Sequence, residues 1–345
     1  MTVSASDIAD ALRWLWIFCG VVWSVYAWLH RVEYRRALLG IVALFVLDWL
    51  LHAFADFAEQ PNSNIPSDFA LYSVMMLLAG IVGLSATCLY ARGQKMNVLH
   101  VLDAALLCVL VGGIGGRVYQ VWTNWHFYSE NKDLILELSH GGFGMRGALV
   151  FGFVALFLFT LITKNSFWKF ADASVIGLSL AQSIGWYGAA LTHAHYGIAL
   201  DPSAGSGQVP PPTGMFAPLA QIVRTFGYNF VQDLPDAYNL IAFRIPVQMI
   251  AAIFFFALFL FLILRAREHY DGSRFTFYVF AASFANFVFG FWRGDETLMW
   301  NGLRSDQWLD LFFVIIGIAL AFGRHASLLQ RARVKHFQEK TLQHA

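Results

Sequence analysis

The sequence predicts an all-α integral membrane protein of nine transmembrane helices, with its N-terminus outside and its C-terminus cytoplasmic. Three observations carry this. Of 345 residues, 58% are hydrophobic and only 13% charged, and the mean hydropathy is +0.57, whereas soluble domains carry about 25% charged residues. The apolar residues gather into runs of about 20, the length of one helical crossing. The connections between runs alternate in charge: 15 of the 23 Lys and Arg residues fall in one alternating set, and only Lys132, Arg224 and Arg304 in the other. Cationic connections stay on the cytoplasmic side.

The runs lie at 11–30, 37–57, 69–91, 98–121, 144–163, 171–192, 245–264, 275–293 and 307–323. None shows the short alternation of an outer-membrane barrel. The opening MTVSASDIAD is acidic where a signal peptide is basic, so the first run is expected to be a retained helix. Two long connections, 122–143 and 193–242, fall on the outer face. The second holds Gly205, Gly207 and Pro210-Pro211-Pro212 and is expected to be irregular. Trp122, Trp125, Phe127 and Tyr128 read as an interfacial aromatic belt. The basic tail 326–345 reads as a cytoplasmic flank. A net charge of +1, with no basic stripe apart from membrane flanks, argues against a nucleic-acid partner. Cys19, Cys88 and Cys108 all lie inside apolar runs without metal or redox spacing and read as packing residues.

Ionisable groups inside apolar runs need a reason. Asp48 and His52, four apart, suggest a satisfied polar pair on one helix face. Asp103 and Asp172 sit near inner helix ends. Asp310 has no end-of-helix explanation. Arg117, Arg146 and Arg293 lie towards the outer ends of three different helices, each beside a glycine. Their convergence would make a site for an anionic headgroup, because guanidinium binds phosphate through paired donors; the alternative is separate snorkelling to the surface. His193 and His195 have the spacing of alternate ligands, but no third ligand is apparent. No metal or cofactor is expected, and haem or quinone binding against the many aromatics remains a weaker reading.

Several segments, in order, resemble the prolipoprotein diacylglyceryl transferase family of bacterial inner-membrane enzymes. GGIGGRVYQV (112–121) looks like its Gly-Gly-Arg-x-x-Tyr-Val segment, with Arg117 as the arginine. HGGFGMRGAL (140–149), with Gly141, Gly142 and Gly147, resembles its Gly-Gly-x-Ser-x-His-Gly-Gly motif. The stretch 171–197 resembles its signature helix through Asp172, Gly185, Gly188 and Gly197. RIPVQM (244–249) keeps Pro246 and Gln248 of a His-Pro-Ser-Gln motif, and FVFGFWRGDE (287–296) keeps Arg293 of the last motif. Tyr72 matches an early tyrosine. The likeness covers 66–325, so residues 1–57 read as two helices added before a seven-helix core.

The resemblance implies transfer of a diacylglyceryl group from phosphatidylglycerol to a lipobox cysteine thiol. It implies a headgroup site of Arg117, Arg146, Arg293, Tyr72 and Gln248. It also exposes departures. The family histidine is Arg146 here, the signature arginine is Trp186, an asparagine is Ala189, and the histidine of His-Pro is Ile245. Later polar positions are Ala194, Ile250, Ala251, Asn286 and Gly290. His193 and His195 are left as weak catalytic candidates. Two functions follow: a divergent transferase with a relocated base, or a non-catalytic relative that binds a phospholipid, a lipoprotein precursor or other membrane subunits.

Overall fold

A computed structural model describes residues 67–136, 143–199, 212–236, 240–264, 270–295 and 297–323. The runs at 11–30 and 37–57, the Asp48–His52 pair, Gly141, Gly142 and the tail 326–345 lie outside the described residues. The chain divides into two compact units, Met1–Leu77 and Leu78–Ala345. Of the first, only the opening turns of a helix are described, with Tyr72 half-buried on it.

The structure is mostly helical. The long helices are α1 (Ser67–Gly93), α2 (Val98–Thr123), α4 (Met145–Ile162), α5 (Phe167–Leu191), α7 (Val247–Leu264), α8 (Ser273–Gly290) and α9 (Ser305–Gly323). Each falls on one of the last seven apolar runs. Two shorter helices, α3 (Trp125–Glu130) and α6 (Ala217–Gly227), lie in the two long connections. Five described helices are long and apolar enough to cross a membrane: Val74–Gly93 of α1, α2, α4, α7 and α9. The remaining two, α5 and α8, carry more polar side chains and bury most of their surface. A helix enclosed by other helices has no lipid face to keep apolar.

Small residues set the packing. Helix α4 runs against α2, and α5 against α7. At Gly147 a Cβ would collide with the Gly115 carbonyl and the Tyr119 side chain, so the α2–α4 crossing requires bare backbone. Helix α8 begins where Gly272 takes φ +89°. There Asp172 of α5 accepts hydrogen bonds from the Gly272 N–H (2.7 Å) and the Phe275 N–H (2.8 Å). These are the unpaired donors of a helix start. Asp172→Ala is expected to cost about 2 kcal/mol, since it orphans two buried donors. A thermal unfolding midpoint in detergent checks this, and an unchanged midpoint would contradict the capping role.

The connection between α5 and α7 forms a hairpin, β1 (Gln232–Pro235) against β2 (Ile241–Arg244). Buried Arg244 ties it down. Its guanidinium meets Asp236 at 2.7 Å, donates to the Gly197 carbonyl at 3.2 Å and covers the Tyr196 ring. A second short hairpin, β3 (Met299–Trp300) with β4 (Leu303–Arg304), leads directly into α9.

Candidate functional site

Two segments almost 100 residues apart are stitched together at one end of the helix bundle. Ile198 donates to the Trp292 carbonyl and Gly294 to the Tyr196 carbonyl, both at 2.8 Å, around an antiparallel bridge of Gly197 with Arg293. A side chain at Gly197 would run into the Ile245 carbonyl. The pairing lays His195 beside Arg293, with Arg293 Nη2 3.0 Å from His195 Nδ1.

A connected ion cluster grows from this pair. Arg293 donates through Nε to Asp295 at 2.9 Å and through Nη1 to Asp306 at 3.2 Å. Arg146, at the start of α4, binds Asp310 at 2.8 Å and Asp306 at 3.4 Å. Arg304 lies 3.2 Å from the Asp295 carboxylate and donates to its carbonyl at 2.8 Å. The Tyr119 hydroxyl of α2 donates to Asp306 at 3.2 Å. Among the described residues, three guanidiniums thus face three carboxylates. Among the described residues, three buried donors of the cluster make no hydrogen bond: Nε of Arg146, and Nε and Nη2 of Arg304, the last in ion contact with Asp295 at 3.2 Å; Arg304 is only 5% exposed.

Electrostatics follow from this crowding. Burial and the neighbouring Arg293 push Arg304 down to about 10, so it stays cationic at neutral pH. For Asp295, burial acts upward but is outweighed by its contact with His195, by the hydrogen bonds from Arg293 and by the charges of Arg293 and Arg304, which hold its carboxyl well below the usual range. The packing around His195 and the Arg293 charge pull its pKa down, against the opposing pull of Asp295. His195 is therefore neutral at pH 7. A depressed histidine binds fewer protons folded than unfolded, so stability falls as pH drops below about 6.5, its unfolded value. His195→Gln is expected to flatten the fall in unfolding midpoint between about pH 6.5 and 5. An identical slope in both proteins would contradict a depressed imidazole.

An apolar cavity of about 350 Å3 lies among α1, α2, α4 and α5. Gly80, Gly83, Gly112, Gly113, Gly152 and Gly177 form much of its wall. Along α4 it extends from Met145, the residue before Arg146, to Leu156. The eleven helical rises between them, about 1.5 Å each, make it about 16 Å long, which suits an acyl chain.

The sequence-predicted residues separate into groups. Arg146 and Arg293 meet on Asp306, and His195 joins them. Arg117 does not: it donates to the carbonyls of Leu134 (2.6 Å) and Ile135 (3.0 Å) and covers the Tyr128 ring. The expected convergence of three arginines is thus one of Arg146, Arg293 and Arg304, with Arg117 turned to the loop backbone its own helix leads into. Tyr128, expected in an aromatic belt, is buried under Arg117, while Trp122, Trp125 and Phe127 are exposed. Gln248, two residues after Pro246 at the start of α7, donates to the Ala194 carbonyl at 3.0 Å and so holds the turn carrying His195. Gly185 and Gly188 are buried along α5. His193 is half-buried at φ +55°, and the cluster's described hydrogen bonds run through His195 instead. Trp186, in place of the family arginine, packs its ring 5.8 Å from that of His195. Arg304, Asp295, Asp306 and Tyr119 were not singled out from sequence. One signal was present: Asp306 and Asp310 are four apart on one helix face.

The described residues thus form a helical bundle, five of whose helices are long and apolar enough to cross a membrane, with an ion cluster at one end and an apolar cavity between helices. The family model for prolipoprotein diacylglyceryl transferase matches residues 63–323, and the chain belongs to that family. The phosphatidylglycerol–prolipoprotein diacylglyceryl transferase of Listeria innocua is 27% identical over 260 residues, covering 74% of this chain and 86% of that protein. The protein of the same name from Clostridioides difficile is 27% identical over 252 residues, covering 73% and 89%. That from Streptococcus equi is 25% identical over 279 residues, covering 79% and 96%.

Proposed function

We propose that this protein binds a glycerophospholipid in the bacterial inner membrane and holds it without transferring its diacylglyceryl group. In this reading one acyl chain occupies the glycine-walled cavity and the headgroup meets Arg146, Arg293 and Arg304, on the outer side of the membrane. The relatives are named for phosphatidylglycerol and prolipoprotein, which supports a lipid of this class and a lipoprotein or other membrane subunit as the protein partner.

The observation that carries the loss of transfer is the geometry of His195. Forming a thioether from a cysteine needs a group that removes the thiol proton. Arg146, in place of the family histidine, cannot accept a proton, and Trp186 and Ile245 offer none. Among the described residues of the cluster His195 remains, but a guanidinium only donates. With Arg293 Nη2 at 3.0 Å, the neutral ring accepts at Nδ1 and carries its proton on Nε2. It presents a donor where a base is required. The cations meet equal numbers of carboxylates, so little positive charge is left over for a departing glycerol phosphate.

The test is a transfer assay in phosphatidylglycerol liposomes with a lipobox peptide, alongside lipid extraction from the purified protein. Bound phospholipid with no diacylglyceryl mass gain on the peptide is expected. A mass gain abolished by His195→Gln would overturn the reading and make His195 the relocated base.

A further inference from the structure

The short helix α6, in the connection between α5 and α7, divides into three faces. At about 100° per residue, Ala220, Val223 and Gly227 share one side, Gln221 and Thr225 a second, and Leu219, Ile222 and Phe226 a third. The first is spent on the bundle. Ala220 packs in a cluster with Phe287, Phe291 and Leu303, and the Val223 carbonyl accepts the Trp292 indole N–H at 2.6 Å. The one charged residue of the helix, Arg224, donates to the Phe291 carbonyl at 3.4 Å. The second face is polar and open. The third is apolar and equally open: Leu219, Ile222 and Phe226 are 42%, 67% and 58% exposed. Phe230, just past the helix, extends it, with its ring 5.5 Å from that of Phe226. A continuous apolar face of this kind marks an interaction surface.

What covers it follows from where the helix is seated. Phe216, at the start of α6, packs its ring 6.3 Å from Trp308 and 6.0 Å from Phe287. Trp308 lies in the first turn of α9, one of the helices long and apolar enough to cross a membrane. Phe312 and Ile315, four and seven residues on, continue its face along that helix and are exposed. This is the lipid face of α9, and α6 is seated beside its end. Trp300 marks the same level: its ring lies 5.0 Å from that of Trp308, and its carbonyl takes the Trp308 indole N–H at 3.1 Å. Paired tryptophans at the end of a crossing helix belong to the headgroup region. A helix there with one apolar and one polar open face has the pattern of a helix lying in the membrane surface. We propose that α6 lies in the membrane–water interface at the ion cluster's end of the bundle, with Leu219, Ile222 and Phe226 inserted among lipid chains and Gln221 and Thr225 facing water. This surface is separate from the glycine-walled cavity and does not depend on what the cavity holds.

The full-length protein, with Cys19, Cys88 and Cys108 replaced by alanine, would carry one nitroxide at a time on Gln221→Cys, Ile222→Cys or Phe226→Cys, in nanodiscs of phosphatidylglycerol and phosphatidylethanolamine. Power-saturation electron paramagnetic resonance compares collisions with oxygen, which concentrates among lipid chains, and with a polar nickel chelate, which stays in water. Labels at 222 and 226 are expected to favour oxygen, and the label at 221 the chelate. All three favouring the chelate overturns the proposal and leaves the face to a soluble partner. Labels at 222 and 226 shielded from both reagents also overturn it, because a second copy of the chain then covers the face. Without any label, Ile222→Asp is expected to speed amide hydrogen exchange across 217–227 in nanodiscs at least ~10-fold, about 1.4 kcal/mol of local opening. An unchanged exchange rate contradicts insertion, since Ile222 then anchors nothing.

Discussion

Asp310→Ala is expected to destabilise the protein by about 3 kcal/mol. Asp310 is 3% exposed, and its carboxylate takes the 2.8 Å contact of Arg146. Truncation leaves the guanidinium partly stranded, with Asp306 at 3.4 Å as its remaining ion partner. Removing one member of a buried pair costs about 3–5 kcal/mol, chiefly from the uncompensated charge left behind; the surviving Asp306 contact places this case at the lower end. Removing both members is different. Arg146→Met with Asp310→Leu is expected to recover most of the loss, because two desolvated charges give way to apolar packing. Unfolding in detergent measures Asp310→Ala, the double variant and its two component singles, Arg146→Met and Asp310→Leu. A single variant within about 0.5 kcal/mol of the parent, or a double variant that is the sum of the two singles, would contradict a coupled pair.

Filling the cavity is expected to have the largest effect on ligand content. At Gly113 an added Cβ meets nothing within 4 Å, and at Gly152 only ordinary contacts, the nearest being the Cys108 carbonyl at 3.6 Å. Both residues line the cavity, so Gly113→Leu and Gly152→Leu place a side chain where an acyl chain would lie without forcing helices apart. Each is expected to lower co-purified phospholipid at least ~10-fold, about 1.4 kcal/mol, with little change in unfolding midpoint. Ile114→Ala on the same helix is the control: Ile114 is 63% exposed and outside the cavity, so lipid content should stay at the parent level. Unchanged lipid in both leucine variants would empty the cavity of its assigned role.

The fold was largely legible because its signals are local. Runs of apolar residues mark helices, three of which start at the caps Asn97, Gly144 and Gly272, and each described long helix lies on one of the last seven runs. The ordered motifs of glycine, Asp172 and Pro246 then identified the family, since close crossings and a helix cap tolerate little variation. The site was legible only in part. Arg146 and Arg293 announced themselves as charges inside apolar runs, but where a long flexible side chain goes depends on what other segments offer it. Arg117 found two loop carbonyls eighteen and seventeen residues on. Arg304 looked like one more loop cation until the β3–β4 turn delivered it to Asp295. Asp295 sits in the connection between α8 and α9 and Asp306 in the first turn of α9, where charge is unremarkable in sequence. Only the pairing of residues 196–198 with 292–294 brings His195 to that stretch, and no periodicity encodes a contact across 98 positions.

The measurement that bears most directly on the lipid-holding account is an electron cryo-microscopy map of the full-length protein in nanodiscs of native lipid. The account requires elongated density for one acyl chain between Met145 and Leu156, joined to a phosphate beside Arg146 and Arg304. A well-resolved map in which the cavity is closed or vacant, and Arg146 and Arg304 touch only aspartates, would contradict it.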